Sequence, residues 1–383
     1  MIILVTGSCG FIGSHVCEKL LNNYPNYKIY GIDNLNNFIY STEQKIENKN
    51  ILCKYSNYNH IENDIMNGNY IIDIKPNIII HLADYGNVDK SLTQPNDYIN
   101  NNVNVTTKLL YEISFFKKMP LFIYGSCSCV YGKNRKVPFN ENDTLNNIIS
   151  LYGLSKKMCE DTVELYYKMY RIKAIGLRFF SVYGPRMRPD MAIHKFLTSL
   201  IENKPIKMHG DGSTLRDYTY IDDVVKGIIN SLHFVNCKNG LHTIYNIGSS
   251  NPLKLIDLIY KCENITIKKT TIIVNSSMND DLKITYADIS KARNEINYNP
   301  KISMEEGLLN TYLWLINKNN YKNKQNMIIY NKIKEDAINE LKNDLLFDEI
   351  NDDSTDKLDT IIQTKNDVSN NISIHNYLNC KII

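Results

Sequence analysis

The stretch IILVTGSCGFIGSH, residues 2–15, decides the fold, because an apolar run passes through three spaced glycines into a helical pattern. Gly7 permits a tight turn, Gly10 lets backbone N–H groups approach a pyrophosphate, and Gly13 lets the helix pack closely on its strand. The amino end of the helix adds partial positive charge. This stretch predicts a βα unit that binds a dinucleotide. The alternative is a glycine-rich loop without a ligand.

An acidic residue follows the second apolar run, residues 28–32, and favours a dinucleotide-binding unit over a loop without a ligand. Asp33 follows that run, twenty positions after Gly13. A carboxylate at this point is placed to accept hydrogen bonds from the hydroxyls of an adenosine ribose. Because the next residue is Asn34 rather than a cation, we expect NAD rather than NADP.

The composition excludes several classes of protein. The chain has 383 residues and a net charge of +3, without a concentrated basic stripe, which argues against nucleic acid as a partner. An apolar run of about twenty residues, as a membrane span requires, is absent from the sequence, and the chain begins with a core strand rather than a signal peptide. Nine scattered cysteines indicate neither a disulfide framework nor a metal site. We therefore expect a soluble cytoplasmic protein with reduced thiols.

Short apolar runs alternate with helical patterns through the first half of the chain. Such alternation predicts an α/β fold, a Rossmann-type doubly wound parallel sheet whose ligands bind at the carboxyl edge of the strands. The runs that predict strands are 2–5, 28–32, 51–54, 77–82 and 121–125.

Three regions are predicted along the chain. Residues 1–185 form the NAD-binding domain, to which later segments return, and residues 186–324 form a smaller substrate-binding lobe. Residues 325–383 form a polar, Asn-rich tail, with an amphipathic helix up to Leu345 and disorder beyond it. The predicted elements of the lobe are helices near 191–203 and 222–235 and strands near 205–208 and 243–247.

A candidate catalytic pair follows the fifth predicted strand. Tyr152 and Lys156 share one face of a strongly helical stretch. The ordinary pKa of tyrosine is about 10, too high for a base at neutral pH, but a nearby ammonium and a cationic nicotinamide both favour the phenolate. The alternative is an ordinary helix pair without a catalytic role.

The motifs together indicate a family. Residues 1 to about 315 resemble the extended short-chain dehydrogenase/reductases, and specifically the NAD-dependent nucleotide-sugar epimerases. The RFF-x-VYGP, RPDMA and TYAD segments are shared with UDP-glucuronate 4-epimerases. The matching stretches are VTGSCGFIGSH (5–15), GIDNLN (31–36), Asp64-Ile65, HLA (81–83), Asn102, SCVYG (128–132), YGLSK (152–156), LRFFSVYGPR (177–186), RPDMA (188–192), RDYTYIDD (216–223), YNIG (245–248) and TYAD (285–288).

The resemblance implies an enzyme that inverts C4 of a UDP-sugar, UDP-glucuronate or UDP-glucose, through a transient 4-keto sugar. Tyr152 would act as the base, Lys156 would tune it, and Cys127 and Ser128 occupy the region beside the reacting hydroxyl. The residues implied at the cofactor are Gly7, Gly10, Phe11, Ile12, Gly13, Asp33, Asn34, Asp64, Ile65, Leu82, Ala83, Asn102 and Phe180, with Tyr152 and Lys156. Those implied at the substrate are Ser181, Arg188 and Arg216. A homodimer is expected through the helices around 103–118 and 152–170.

Four positions depart from the family pattern. Cys127 stands where the family has the Ser or Thr that hydrogen-bonds the reacting hydroxyl, and a thiol is a weak donor; Ser126 or Ser128 is a possible substitute. Cys129 replaces the Glu of the related dehydratases and decarboxylases, which argues against those reactions. Asp84 stands at a usually small position beside the cofactor path, and Asp89 stands where glucuronate epimerases usually have Arg. The alternative function is therefore a protein that binds NAD or a nucleotide sugar with weak or no catalysis, and a related UDP-sugar dehydratase or decarboxylase is a further alternative, which the absence of the Glu disfavours.

Overall fold

Twelve strands are present in the computed structural model, which describes residues 1–236, 240–275 and 282–320. The strands are β1 Ile2–Thr6, β2 Lys28–Asp33, β3 Tyr58–Glu62, β4 Ile78–His81, β5 Leu121–Cys127, β6 Lys173–Phe179, β7 Ser181–Tyr183, β8 Ile206–His209, β9 Leu215–Tyr220, β10 Leu241–Ile247, β11 Pro252–Lys254 and β12 Ile272–Asn275. Seven of them form a parallel sheet in the order β10-β6-β5-β4-β1-β2-β3. The strand order reverses beside β1, and ligands bind at such switch points.

Helices cover both faces of this sheet. Side chains along a strand point alternately to the two faces, and here the apolar side chains on each face pack in a cluster of their own. Ile3 and Val5 of β1 pack in one cluster, and Leu4 packs in the other. The helices are α1 Phe11–Asn23, α2 Thr42–Leu52, α3 Tyr70–Ile74, α4 Val88–Thr93, α5 Pro95–Tyr98, α6 Val105–Ser114, α7 Leu151–Tyr170, α8 Ala192–Ile201, α9 Ile221–Asn230, α10 Leu255–Thr266, α11 Ser290–Ile296 and α12 Met304–Asn320. Helices α1 and α9 contribute to the first cluster and α6 and α7 to the second. The predicted doubly wound α/β fold is confirmed.

The glycines between β1 and α1 are required by the local geometry. Gly7 has φ of +66°, a conformation that side chains disfavour. A Cβ atom on Gly13 would lie 2.1 Å from the carbonyl oxygen of Gly7. The turn and the close packing predicted for these two positions are therefore both present.

The strand predicted at 51–54 is wrong. Residues Ile51 and Leu52 end α2, where Leu52 is fully buried against the first core cluster. The strand is Tyr58–Glu62, which pairs with β2 at the edge of the sheet. An edge strand buries only part of its side chains, so its mixed polar sequence gave a weaker signal than the short apolar end of the helix.

The later part of the chain contributes to several layers. Strand β10 joins the large sheet beside β6, while β11, β9 and β7 form one small sheet and β12 and β8 form another. Residues Met1–Lys318 form one compact unit. The predicted boundary at residue 185 falls inside this unit and stays a prediction. The predicted tail at 325–383, with its helix up to Leu345, lies outside the described residues.

We find no helix with both the length and the apolar character needed to span a membrane across residues 1–236, 240–275 and 282–320.

Candidate active site

A cavity of about 350 Å³ lies at the carboxyl edge of the large sheet. It brings together most of the residues singled out in the sequence. Those that line it are Gly7, Gly10, Phe11, Ile12, Gly13, Asp33, Asn34, Asp64, Ile65, Leu82, Ala83, Cys127, Ser128, Tyr152, Lys156, Phe180, Ser181 and Arg188. Asn102 and Arg216 are not among the lining residues.

One end of the cavity is built for an anionic dinucleotide. Helix α1 begins after Gly10, which has no side chain to accept from the first N–H groups of the helix, and these groups lie beside the cavity. The Asp33 carboxylate is buried and fixed by two backbone donors, Cys9 N at 3.0 Å and Leu35 N at 2.9 Å. Asn34 donates to Asp64 at 2.9 Å and so joins the loops after β2 and β3. These residues fit the pyrophosphate and adenosine ribose of NAD.

The other end holds the tyrosine and the lysine. Ser150 caps α7 by accepting from Gly153 N at 3.0 Å, which starts the helix just before Tyr152. Lys156 follows one turn later and is 6% exposed. Both side chains reach the same oxygen of Asp84: Tyr152 Oη lies 3.3 Å and Lys156 Nζ 3.2 Å from Asp84 Oδ2. A carboxylate therefore joins the two candidate catalytic groups.

This carboxylate changes the expected electrostatics. Burial and the Asp84 charge raise the pKa of Tyr152 well above its ordinary value. Burial alone would lower the pKa of Lys156, but the charge and hydrogen bond of Asp84 outweigh it and raise that pKa. The sequence led us to expect an ammonium that favours the phenolate; in the structure that ammonium is paired with Asp84, and Tyr152 is held protonated.

The end of β5 carries the two thiols. The Cys127 thiol hydrogen-bonds the sulfur of Cys129, which lowers the pKa of Cys129, whereas burial raises the pKa of Cys127. Ser126 donates to Glu160 Oε1 at 2.6 Å. Ser126 and Ser128 both line the cavity, but the Ser126 hydroxyl is already donated to a buried acid, so Ser128 is the better placed of the two serines that could replace the missing hydroxyl at position 127.

A buried ion pair between Arg178 and Glu160 stabilises this end of β5. Arg178 donates to both oxygens of Glu160, with Nε at 2.9 Å from Oε1 and Nη2 at 2.8 Å from Oε2. Its third nitrogen donates to Tyr131 Oη at 2.9 Å, and that hydroxyl donates to Asn246 Oδ1 at 2.7 Å. The network connects β5, β6, β10 and α7, so it fixes the strand end that presents Cys127.

Arg188 lines the cavity, and two of its nitrogens contact Asp190. Arg188 Nε and Nη2 each lie 3.0 Å from an oxygen of Asp190, which also accepts from Asn87 Nδ2 at 2.8 Å. Arg216 lies on β9, donates to the carbonyl of Leu215 at 2.9 Å, and contributes to the low pKa of Cys129. Its charge therefore acts on the thiol end of the site.

A family model described as "NAD dependent epimerase/dehydratase family" matches residues 3–248. The chain belongs to this family. Its predicted family is thereby confirmed, together with the NAD dependence that the family's description names.

Named relatives agree with this membership. The chain is 36% identical to a UDP-glucuronate 4-epimerase of Thermodesulfobacterium geofontis, over 81% of this chain and 95% of the relative. It is 32% identical to UDP-glucuronate 4-epimerase 1 of Arabidopsis thaliana, over 85% of this chain and 79% of that relative. A crystal structure of the Bacillus cereus UDP-glucuronic acid 4-epimerase with UDP-glucuronic acid and NAD is 35% identical, has a TM-score of 0.77, and is matched over 83% of this chain and 100% of that one.

Sequence reasoning missed part of this epimerase-family site. Tyr40 and Lys45 line the cavity after Asp33, with the Lys45 ammonium 2.7 Å from the carbonyl of Asn36. Their position after the acidic end of β2 was the available signal. Asn102 is buried and accepts from Tyr85 N at 2.8 Å while donating to Ser155 Oγ at 3.1 Å. It fastens the loop after β4 to α7 rather than facing the cavity.

Proposed function

We propose that this protein is an NAD-dependent epimerase that inverts C4 of a UDP-sugar. One observation carries the proposal: the Tyr152–Lys156 pair faces the same cavity as the glycine turn and Asp33. A base and a dinucleotide cradle in one cavity are what removal of both a proton and a hydride from one carbinol requires.

The cofactor would be held by the glycine turn at its pyrophosphate and by Asp33 at its adenosine ribose. Phe11 and Ile12 offer backbone N–H groups at the amino end of α1. NAD supplies the hydride acceptor and donor at C4 when bound. Phe180 and Ser181 would face the nicotinamide and the sugar.

The proton is handled by Tyr152. In its deprotonated form its oxygen takes the proton of the sugar 4-hydroxyl as a ketone forms at C4, and it returns the proton after the sugar has turned its other face to the cofactor. The Lys156 ammonium stabilises the phenolate while the proton is absent. Cys127 would take the place of the hydroxyl donor that orients the reacting oxygen, and as a weak donor it would slow the step.

The nucleotide diphosphate would be held by Arg216, because a planar guanidinium can bind a diphosphate through paired hydrogen bonds. The charged residues around Arg188 would decide between a sugar that carries a carboxylate and one that does not. Because the named relatives are UDP-glucuronate 4-epimerases, Arg188 is a candidate to bind a glucuronate carboxylate, but Asp190 already binds two of its nitrogens and the Asp84 charge also acts on it. These acids favour a UDP-sugar with an uncharged hexose, such as UDP-glucose, as the second candidate substrate.

The assembly is a homodimer in this proposal. Helices α6 and α7 lie side by side and expose a row of large apolar side chains: Tyr111, Phe115, Leu154, Met158, Leu165 and Met169. Val163, on another face of α7, is fully buried and belongs to the core. An exposed apolar face of this kind fits a second copy of the same helices. Light scattering should give twice the chain mass, and Leu165→Asp should give the chain mass; a wild-type monomer would contradict the dimer.

The enzyme would act in the cytosol. The cysteines within the described residues are all free. Free thiols persist where glutathione and thioredoxin keep them reduced. Reporter fusions viewed in cells should be diffuse in the cytosol, and a fusion confined to an organelle would contradict this location.

The function is tested by incubating purified protein and NAD with UDP-glucuronate and, separately, with UDP-glucose, and following the C4 epimers by NMR. The matched control is Tyr152→Phe, which removes one oxygen and should lower the rate by at least about a hundredfold. Absence of an epimer from every UDP-sugar, while NAD and the sugar still bind, would replace this proposal with the binding-protein alternative.

A further inference from the structure

Asp84 occupies a position that determines which charges surround the reacting groups. It follows β4 after Leu82 and Ala83, at the carboxyl edge of the sheet, and it lines the cavity. Its side chain is 26% exposed, so solvent screens it only in part. The adjacent Tyr85 is anchored through its N–H to buried Asn102 at 2.8 Å, which fixes the loop that carries the carboxylate.

One carboxylate oxygen serves both members of the pair. Tyr152 Oη donates to Asp84 Oδ2 at 3.3 Å, and Lys156 Nζ lies 3.2 Å from the same atom. The negative charge favours the protonated form of each partner: the neutral phenol of Tyr152 and the ammonium of Lys156. The Asp84 charge therefore raises the pKa of Tyr152 and the pKa of Lys156.

Other charged and titratable groups also face the pair. Cys127 and Cys129, at and after the end of β5, raise the pKa of Tyr152, and Arg188 lowers it. Cys159 on α7 raises the pKa of Lys156. His81 on β4 is buried, and burial together with the Lys156 charge lowers its pKa to about 3, so it is neutral at working pH. Among the described residues, Asp84 and Cys127 both act on Tyr152 and on Lys156, and Asp84 contacts each of them.

We propose that Asp84 is a positioning residue that holds Tyr152 protonated and Lys156 charged, and thereby sets the pH range in which the enzyme works. The inference rests on the proposed function, because it concerns the base of that reaction. Asp84 acts through Tyr152 and Lys156 and takes no part in the bond changes at C4.

The sign of the effect follows from the charge. Catalysis needs Tyr152 able to lose its proton, which gives the acid limb of the pH profile, and Lys156 charged, which gives the alkaline limb. Removing the Asp84 charge lowers both pKa values, so both limbs move to lower pH. The Asp84 charge is partly screened by solvent and partly neutralised by its neighbours. Such a charge at hydrogen-bond distance shifts a pKa by about one to two pH units.

The experiment compares kcat/KM against pH for the wild type, Asp84→Asn and Asp84→Ala, with Asp73→Asn as the control. Asp73 is an exposed acid on α3, so its replacement makes the same charge change at the surface. Both limbs should move down by about one to two pH units in the two Asp84 variants, and the Asp73 variant should keep the wild-type limbs. Two results would overturn the inference: lower rates with unmoved limbs, which indicate a structural role, or loss of activity at every pH in the near-isosteric Asn variant, which indicates direct proton transfer.

A second readout does not depend on activity. In NAD-free protein labelled with ¹³Cζ-tyrosine, the Tyr152 signal is assigned as the one missing from Tyr152→Phe, and its titration midpoint should fall in both Asp84 variants. An unmoved midpoint would overturn the inference even if epimerisation is found. If epimerisation fails with every UDP-sugar, the proposed function is lost, and the titration still decides the role of Asp84.

Discussion

Replacing Glu160 with glutamine tests the network that holds the end of β5. Glu160 and Arg178 have side chains that are 4% and 3% exposed, and they share two hydrogen bonds of 2.9 and 2.8 Å. Glutamine keeps the size of the side chain but turns an NH₂ group towards donors, since it has one acceptor oxygen where the carboxylate has two. The Arg178 charge then stays buried without its counter-charge.

The magnitude follows from the burial of both partners. Removing one member of a buried pair lowers the free energy of unfolding by about 3–5 kcal/mol. The matched control is Glu164→Gln on the same helix, where the partner is Lys168 and the two side chains are 46% and 65% exposed. An exposed pair at this spacing contributes about 0.3–0.5 kcal/mol. The two variants remove the same charge from α7, and their free energies of unfolding should differ by roughly 2.5–4.7 kcal/mol.

The assay is urea unfolding followed by circular dichroism, with the slope of the transition checked for equality among the three proteins. Glu160→Gln should also reduce the turnover number, because Ser126 loses its acceptor and the strand end that carries Cys127 loosens. A loss of less than about 1 kcal/mol for Glu160→Gln, or a loss equal to that of Glu164→Gln, would refute the reasoning.

Two other substitutions test the site directly. Cys127→Ser should raise the turnover number about tenfold or more, because a hydroxyl is a stronger donor to the reacting oxygen than a thiol; an unchanged initial rate with saturating UDP-sugar would mean that residue 127 does not contact that oxygen. Gly13→Ala should abolish NAD retention, since its Cβ would lie 2.1 Å from the carbonyl oxygen of Gly7, whereas Gly10→Ala, with a Cβ 3.1 Å from the same oxygen, should weaken retention less. NAD released on denaturing each purified protein measures this, and equal retention by the two variants would contradict it.

The parts of the fold that local sequence determines could be predicted. The glycine turn, the strand before it and Asp33 lie within about thirty residues of one another, and Tyr152 and Lys156 are one helical turn apart. The strand at 58–62 could not be located, because an edge strand with a mixed polar sequence resembles a loop, while the apolar residues 51–52 belong to a helix end.

The electrostatics of the site depended on contacts that sequence spacing does not contain. Asp84 was noticed as a departure from the family pattern, but its contact with α7 joins residues 68 positions apart. Ser126 could not be separated from Ser128 until the structure paired it with Glu160. Asn102 is buried and accepts a hydrogen bond from the loop after β4, a contact that its spacing in the sequence does not predict, and its place at the cofactor stays a prediction. In each case the environment of the residue depends on a contact with a side chain or loop that is distant in the sequence.

The central claim is that hydrogen leaves C4 and returns to the same carbon without passing through water. The most direct measurement uses UDP-glucuronate and UDP-glucose carrying deuterium at C4, incubated with the enzyme in ordinary water, followed by NMR and mass spectrometry of the epimer formed. The account predicts that the epimer keeps its deuterium at C4. Replacement of that deuterium by solvent hydrogen in the epimer would contradict it.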